Sequence, residues 1–190
     1  MSDLLAFAQL GFHHIADPAA LDHILFLLAL AAIYRSGDWR SAVWVVTPFT
    51  VGHSVTLALA VTGALRLPTA LIEFLIPVTI VATGVENLLV RDRASAPWGG
   101  RYRPIFAGVF GLVHGAGFAN YLRDFFSGSI AVPLLGFNVG IELGQLLILA
   151  MAGLALAAVD RVMGHRVRVV SVSAAVVIAA ATMAVERTPW

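Results

Sequence analysis

Asp22 and His23 stand side by side against the apolar run ILFLLAL, and His53, His114 and Glu142 lie well inside apolar stretches of their own. An ionisable side chain at the centre of a bilayer costs at least ~2.5–3.5 kcal/mol on insertion scales, and such groups are usually functional. Counting ~1.5 Å per helical residue from the ends of these stretches puts all five groups at a similar depth, roughly 15–18 Å in. Glu86 falls nearer one end, within about 6 Å of Arg91 by the same count. Imidazole and carboxylate together, without thiols, suit borderline divalent ions such as Ni²⁺, Co²⁺ or Zn²⁺. A neutral imidazole offers a ring nitrogen. A nearby carboxylate either binds the ion or holds the other N–H and so fixes the tautomer. A transported ion needs weak, exchangeable binding in a cavity, and ligands spread over several helices can be parted by moving one of them. Glu86 is placed to act as an exit or proton-relay group.

The elements that must carry these groups follow from composition. The chain has 190 residues, 59% hydrophobic and 12% charged, against about 25% charged in soluble domains. So much apolar surface implies an integral membrane protein. Cysteine is absent, which excludes disulfides, thiolate metal sites and cysteine nucleophiles. All twelve basic residues are arginine, which excludes a lysine Schiff base. The net charge of +1 comes with no basic block, so no nucleic-acid partner is expected. Runs of roughly 20 apolar residues are needed to cross ~30 Å of hydrocarbon. Six are present, at 16–34, 42–64, 70–90, 104–122, 131–158 and 168–186. They are continuous rather than alternating, which predicts helices and excludes a barrel. The fold class is therefore all-α and polytopic, a single six-helix transmembrane domain over 16–190. Residues 1–15 are predicted to form an interfacial or re-entrant segment on the outer side, broken from the first span by Pro18. "MSDLLAFAQL" has no basic n-region, so no removable signal peptide is expected. Numbering the connections alternately puts Arg35, Arg40, Arg91, Arg93, Arg101, Arg103, Arg161, Arg166 and Arg168 on one side. Arg66, Arg123 and Arg187 fall on the other. Positive-inside then places both termini on the outer, periplasmic side.

Helical faces refine the picture. Asn138, Glu142 and Gln145 share one face of the fifth span, whereas Gly136, Gly140 and Gly144 line another at the small-xxx-small spacing that admits a second backbone. Thr47, Thr50, His53 and Ser54 cluster on the second span, and Thr79, Thr83 and Glu86 form a stripe on the third. Gly108, Gly111 and Gly115 allow close packing beside His114. Each group also has a purely structural reading. A lone membrane histidine is more often a helix–helix hydrogen-bond partner than a ligand. Asp22 suits a helix N-terminus, Glu86 suits an ion pair with Arg91 or Arg93, and Asn138 and Gln145 suit interhelical hydrogen bonds. His13 and His165 are expected to be exposed. Trp39, Trp44, Trp98 and Trp190 fit the membrane interface.

The motifs GFHHIADPAALDHILFLLALA, FTVGHSVTLAL, VEN, FGLVHGAGFA and FNVGIELGQ occur in that order over residues 11–146. They resemble the successive signatures of the HupE/UreJ family, small bacterial membrane proteins associated with hydrogenase and urease clusters and regarded as nickel permeases. The resemblance implies metal handling by His14, Asp22, His23, His53, Glu86, His114 and Glu142, with Phe49 a neighbour of the second-span histidine. Ser54, Thr83, Asn138 and Gln145 join Phe49 and Glu86 as pathway or supporting groups. His14 and Asp22 stand further apart here than in the better-known hydrogenase-linked members, which points to a different branch. The expected function is a secondary permease for Ni²⁺, with Co²⁺ and Zn²⁺ as alternatives, in the bacterial inner membrane. Its expected partners are the lipid bilayer, the ion, and a second copy or a larger membrane complex. The competing function is a small structural or assembly subunit of such a complex. An intramembrane metalloenzyme lacks support, since neither H-E-x-x-H nor a nucleophile at a recognisable spacing is present.

Overall fold

Proline has no N–H to give and clashes with the preceding helical turn, so a helix running into it stops. In the computed structural model, which describes residues 3–92, 96–123 and 130–189, the first helix, α1 (Asp3–Ala16), ends just before Pro18. Asp17 closes the gap: its side chain accepts the Ala19 N–H at 2.8 Å and its carbonyl accepts the Ala20 N–H. α2 (Leu21–Ala32) then departs at 71° to α1. At 12 residues α2 is about 18 Å long, well short of ~30 Å of hydrocarbon. The first span expected at 16–34 is thus a half-length helix that is long and apolar enough to cross only together with α1.

α3 (Trp39–Val61), α4 (Thr69–Val90), α6 (Ala131–Met163) and α7 (His165–Glu186) are each long and apolar enough to cross a membrane. These helices fit a multi-pass membrane protein. α5 (Arg103–Arg123) is of similar length. Among the described residues there are seven α-helices and no strand, with four candidate spans, or five if the bent pair counts as one. Run length alone suggested six.

Glycine faces set the pairing. α1 lies along the first half of α6, with Leu4 at Gly136, Ala8 at Gly140 and Ile15 at Gly144, so the two run in the same direction. A Cβ at Gly140 would collide with the Ala8 carbonyl oxygen. α3 and α5 also run in the same direction, with Pro48 at Gly108, Phe49 at Gly111 and His53 at Gly115. α4 meets α7 at Gly84, against Val177, and α2 packs against α3, α4, α6 and α7.

Arginines knit one end of this bundle. The Arg168 side chain is fully buried; it donates to Asp160 at 2.6 and 3.1 Å, and to the carbonyls of Ala32 at 2.8 Å and Tyr34 at 3.0 Å. Ala32 ends α2 and Tyr34 follows it, so neither carbonyl has a further helical turn to accept from. Arg103 donates to Glu86 at 2.6 Å and Asn87 at 3.0 Å, while Asn87 donates to the Ala29 carbonyl at 2.7 Å. Arg35 pairs with Asp92 at 3.1 Å. Two arginines counted as topology signals are therefore interior clamps. His165, expected in an exposed loop, is buried: Gly164, at φ +74, lets α7 start at once, and the His165 Nδ1 lies 2.8 Å from Arg168. His13 is exposed, as are Trp39, Trp44 and Trp98. Arg93 and Trp190 lie outside the described residues.

Removing the Arg168 guanidinium strands Asp160 and two carbonyls. Arg168→Ala is expected to lower stability by roughly 3 kcal/mol, and Arg168→Lys to recover little, because an ammonium lacks the planar fork that reaches all three partners. Urea or SDS titration of the purified protein, followed by tryptophan fluorescence, measures both.

Candidate functional site

The break between α1 and α2 brings two helix ends tip to tip. His14 is on the last turn of α1, and Asp22 and His23 are on the first turn of α2, with the two imidazole centroids 4.7 Å apart. α3 adds His53, 6.1 Å from His14 and 6.3 Å from His23. α5 adds His114, 5.6 Å from His23. The Gly115 contact on His53 is what lets α3 and α5 approach so closely. Phenylalanines wall the group. Phe118 lies over His14 at 3.8 Å and stacks on Phe137, while Phe26 and Phe49 each stand 5.1 Å from His114.

These rings are poorly satisfied. His53 is fully buried, and neither of its nitrogens has a hydrogen-bond partner among the described residues. The same holds for Nε2 of His14, Nε2 of His23 and Nδ1 of His114. His23 Nδ1 lies 3.0 Å from Asp22 Oδ1, within ion-pair reach but out of line for a hydrogen bond. Buried polar atoms are almost always paired, so among the described residues these nitrogens are free to take water or an ion. Asp22 has partners: its Oδ1 accepts the His23 backbone N–H at 2.9 Å, and its Oδ2 accepts Arg187 Nη1 at 3.3 Å. Asp22, His14, His23, His114 and Phe118 line a cavity of about 350 Å³ that is bounded by Arg187 and the exposed Glu73. The cavity faces the end of the bundle where α4 begins and α7 finishes.

Other residues expected at the site lie elsewhere. Glu142 accepts Thr47 Oγ1 at 3.2 Å, six residues from His53 and so about 9 Å along α3. The structure does not bring it to the imidazoles. Along α6 it lies between Gly140, packed on Ala8 and Phe12, and Gly144, packed on Phe12 and Ile15, so it is close in depth to His14 while its side chain bonds to α3 instead. Gln145 accepts Thr50 Oγ1 at 2.6 Å, an α3–α6 link, and the Asn138 Oδ1 is buried without a partner among the described residues. Ser54 donates to the Thr50 carbonyl, and Thr83 to that of Thr79. Phe49 is buried 6.1 Å from His53. Glu86 stands at the arginine-rich end; Arg103, rather than Arg91, holds it, and Tyr102 donates to its other oxygen. Burial, then that bond, pushes the Tyr102 hydroxyl up to about 12, so it stays a donor.

Among the described residues no three His, Asp or Glu side chains are disposed to hold a metal ion as they stand. The ring spacing nevertheless suits one. An ion bound at ~2.1 Å from a ring nitrogen sits about 3 Å from the ring centroid, so two rings sharing it stand roughly 5–6 Å apart. The pairs His14–His23, His14–His53, His23–His53 and His23–His114 are spaced 4.7–6.3 Å. Sequence reasoning missed Arg187, Glu73 and Phe118. Nothing in the pattern links Arg187 to Asp22 across 165 residues.

A family model described as HupE / UreJ protein matches residues 1–187 of the chain. No curated protein and no solved structure matches it.

Replacing an unpartnered buried polar group by an apolar one of similar shape is near neutral or stabilising, by about 1 kcal/mol. His53→Leu is thus expected to leave the denaturation midpoint in metal-free detergent unchanged or raised. A marked fall would mean that His53 has a structural bond to lose.

Proposed function

This chain belongs to the HupE/UreJ family, and from that premise we propose that it is a secondary permease for a divalent transition-metal ion, foremost Ni²⁺, with Co²⁺ and Zn²⁺ as alternatives. The family's link to nickel and cobalt transport supports the substrate class. The observation that carries the proposal is the gathering of His14, His23, His53 and His114 from four helices, with buried ring nitrogens that have no partner among the described residues and three of the rings lining a cavity. In this proposal α1 and α2 together form one broken span and α3 to α7 five more, giving six. The arginine-rich end is cytoplasmic, the cavity opens to the periplasm, and the membrane is the bacterial inner membrane. Helix breaks beside a mid-membrane site are a recurrent device in transporters. The ion enters past Glu73 and Arg187, exchanges its water for imidazoles as the rings turn, and leaves toward Glu86. No bond-making chemistry is involved, and the ion is cargo. A second copy or a larger complex would cover the lipid-facing apolar helices.

The alternative, a packing or assembly subunit, draws on the absence, among the described residues, of three groups arranged for a metal. The two differ in what substitution does. A packing role predicts that His114→Ala impairs folding and removes no flux.

Proteoliposomes containing the purified protein and an internal metal-sensitive dye provide the test. Wild type is expected to support influx of Ni²⁺ or Co²⁺, and His23→Ala and His114→Ala to reduce it at least ~10-fold while still folding. Dye traces identical to those of empty liposomes for Ni²⁺, Co²⁺ and Zn²⁺ alike would refute the permease.

A further inference from the structure

His114 is the one imidazole of the four whose hydrogen bond fixes its chemistry. Its Nε2 lies 3.0 Å from the hydroxyl of Thr79 on α4, both side chains being buried. A hydroxyl has a single proton, and that of Thr79 is directed to the Ile76 carbonyl at 2.7 Å, the shorter of its two bonds. Thr79 can then only accept from His114, so Nε2 must carry the ring proton. A neutral imidazole has one N–H, which leaves Nδ1 as a bare lone pair, buried and without a partner among the described residues. The opposite arrangement, with Thr79 donating to Nε2, would put the proton on Nδ1 and strand a buried donor, at about 1–3 kcal/mol. A stranded lone pair differs in kind, because a cation can satisfy it.

We propose that Thr79 is the positioning residue that fixes His114 as its Nε2–H tautomer and so presents Nδ1 to the ion. This rests on the permease reading for the identity of the ion, and on geometry alone for the tautomer. Thr79 acts through His114 and does not itself touch the ion. Metal-bound histidines commonly donate their second N–H in this way, and loss of the acceptor typically weakens metal affinity 10–100-fold. The hydroxyl is the necessary part. Valine keeps the shape and removes the acceptor, whereas serine keeps the acceptor.

The test is ¹⁵N NMR of the histidine-labelled protein in detergent micelles, with the His114 signals assigned by their loss in His114→Gln. In metal-free wild type, Nε2 is expected to be protonated and Nδ1 not. Thr79→Val should shift the Nε2 signal and Thr79→Ser restore it. Titration with Zn²⁺, a diamagnetic probe, should move Nδ1, and the Zn²⁺ affinity should fall ~10–100-fold in Thr79→Val and be largely retained in Thr79→Ser. A proton on Nδ1 in the metal-free protein overturns the proposal, as does a Thr79→Val spectrum identical to wild type. Zn²⁺ that leaves every histidine signal in place overturns the permease reading and the metal-presenting role together. The metal-free spectrum still reports separately on the tautomer, so the two failures are distinguishable.

Discussion

A ring nitrogen in an apolar interior must be hydrogen-bonded, hydrated or bound to a cation, because leaving it bare costs about 1–3 kcal/mol. The centre of this bundle holds several such nitrogens on His14, His23, His53 and His114, with no partner among the described residues. That constraint organises the rest. Thr79 meets one nitrogen of His114, as Thr50 meets Gln145, but no threonine or carbonyl among the described residues meets the remaining ones. Phenylalanines surround them instead, at 3.8–6.1 Å between centroids. Those rings exclude water and keep the effective dielectric low.

Two backbone devices create this arrangement. The first is the break at Asp17–Ala20, where a single straight helix would have placed His14 and His23 nine residues apart and well separated along one axis. The 71° bend folds them to 4.7 Å. The second is the glycine contact between helices running in the same direction, α1 with α6 and α3 with α5. Same-direction pairs gain nothing from opposed helix dipoles, so close contact at small residues is left to hold them, as is usual where lipid offers no hydrophobic drive. Glycine at 111 and 115 serves the site directly, because it draws α5 onto Phe49 and His53.

Much of this was legible in the residues, and the remainder was hidden for definite reasons. His23, His53 and His114 were recognisable because polar groups inside apolar runs stand out, and a count of 1.5 Å per residue gives comparable depths for short helices. For Glu142 depth alone was not enough, because its side chain bonds to Thr47 on α3. The helix break was half visible: Pro18 marks it, but hydropathy over 16–34 is continuous and concealed that α2 alone is too short. Gly136, Gly140 and Gly144 announced a close backbone, though not that it would be α1. Thr79 read as one member of a polar stripe; only the direction of its proton gives it a role. The salt bridge of Asp22 with Arg187 joins opposite ends of the chain and leaves no periodic trace.

That salt bridge, together with the one at Glu86, gives the bundle a consistent electrostatic form. Toward the cavity end the Asp22 carboxylate is answered by Arg187, and at the other end Glu86 is answered by Arg103 and bonded by Tyr102. Between them the polar line is His114, Thr79 and Thr83. Asp22 and Glu86 are therefore each already paired with a guanidinium. In the proposed permease a divalent ion reaching His23 must compete with Arg187 for Asp22, at a 3.3 Å contact that is long for a charge-assisted bond. The Glu86 contact, at 2.6 Å with a buried arginine, is the tighter of the two. In that proposal the asymmetry would favour entry from the cavity end, because the more loosely held carboxylate is the one that adjoins the histidines.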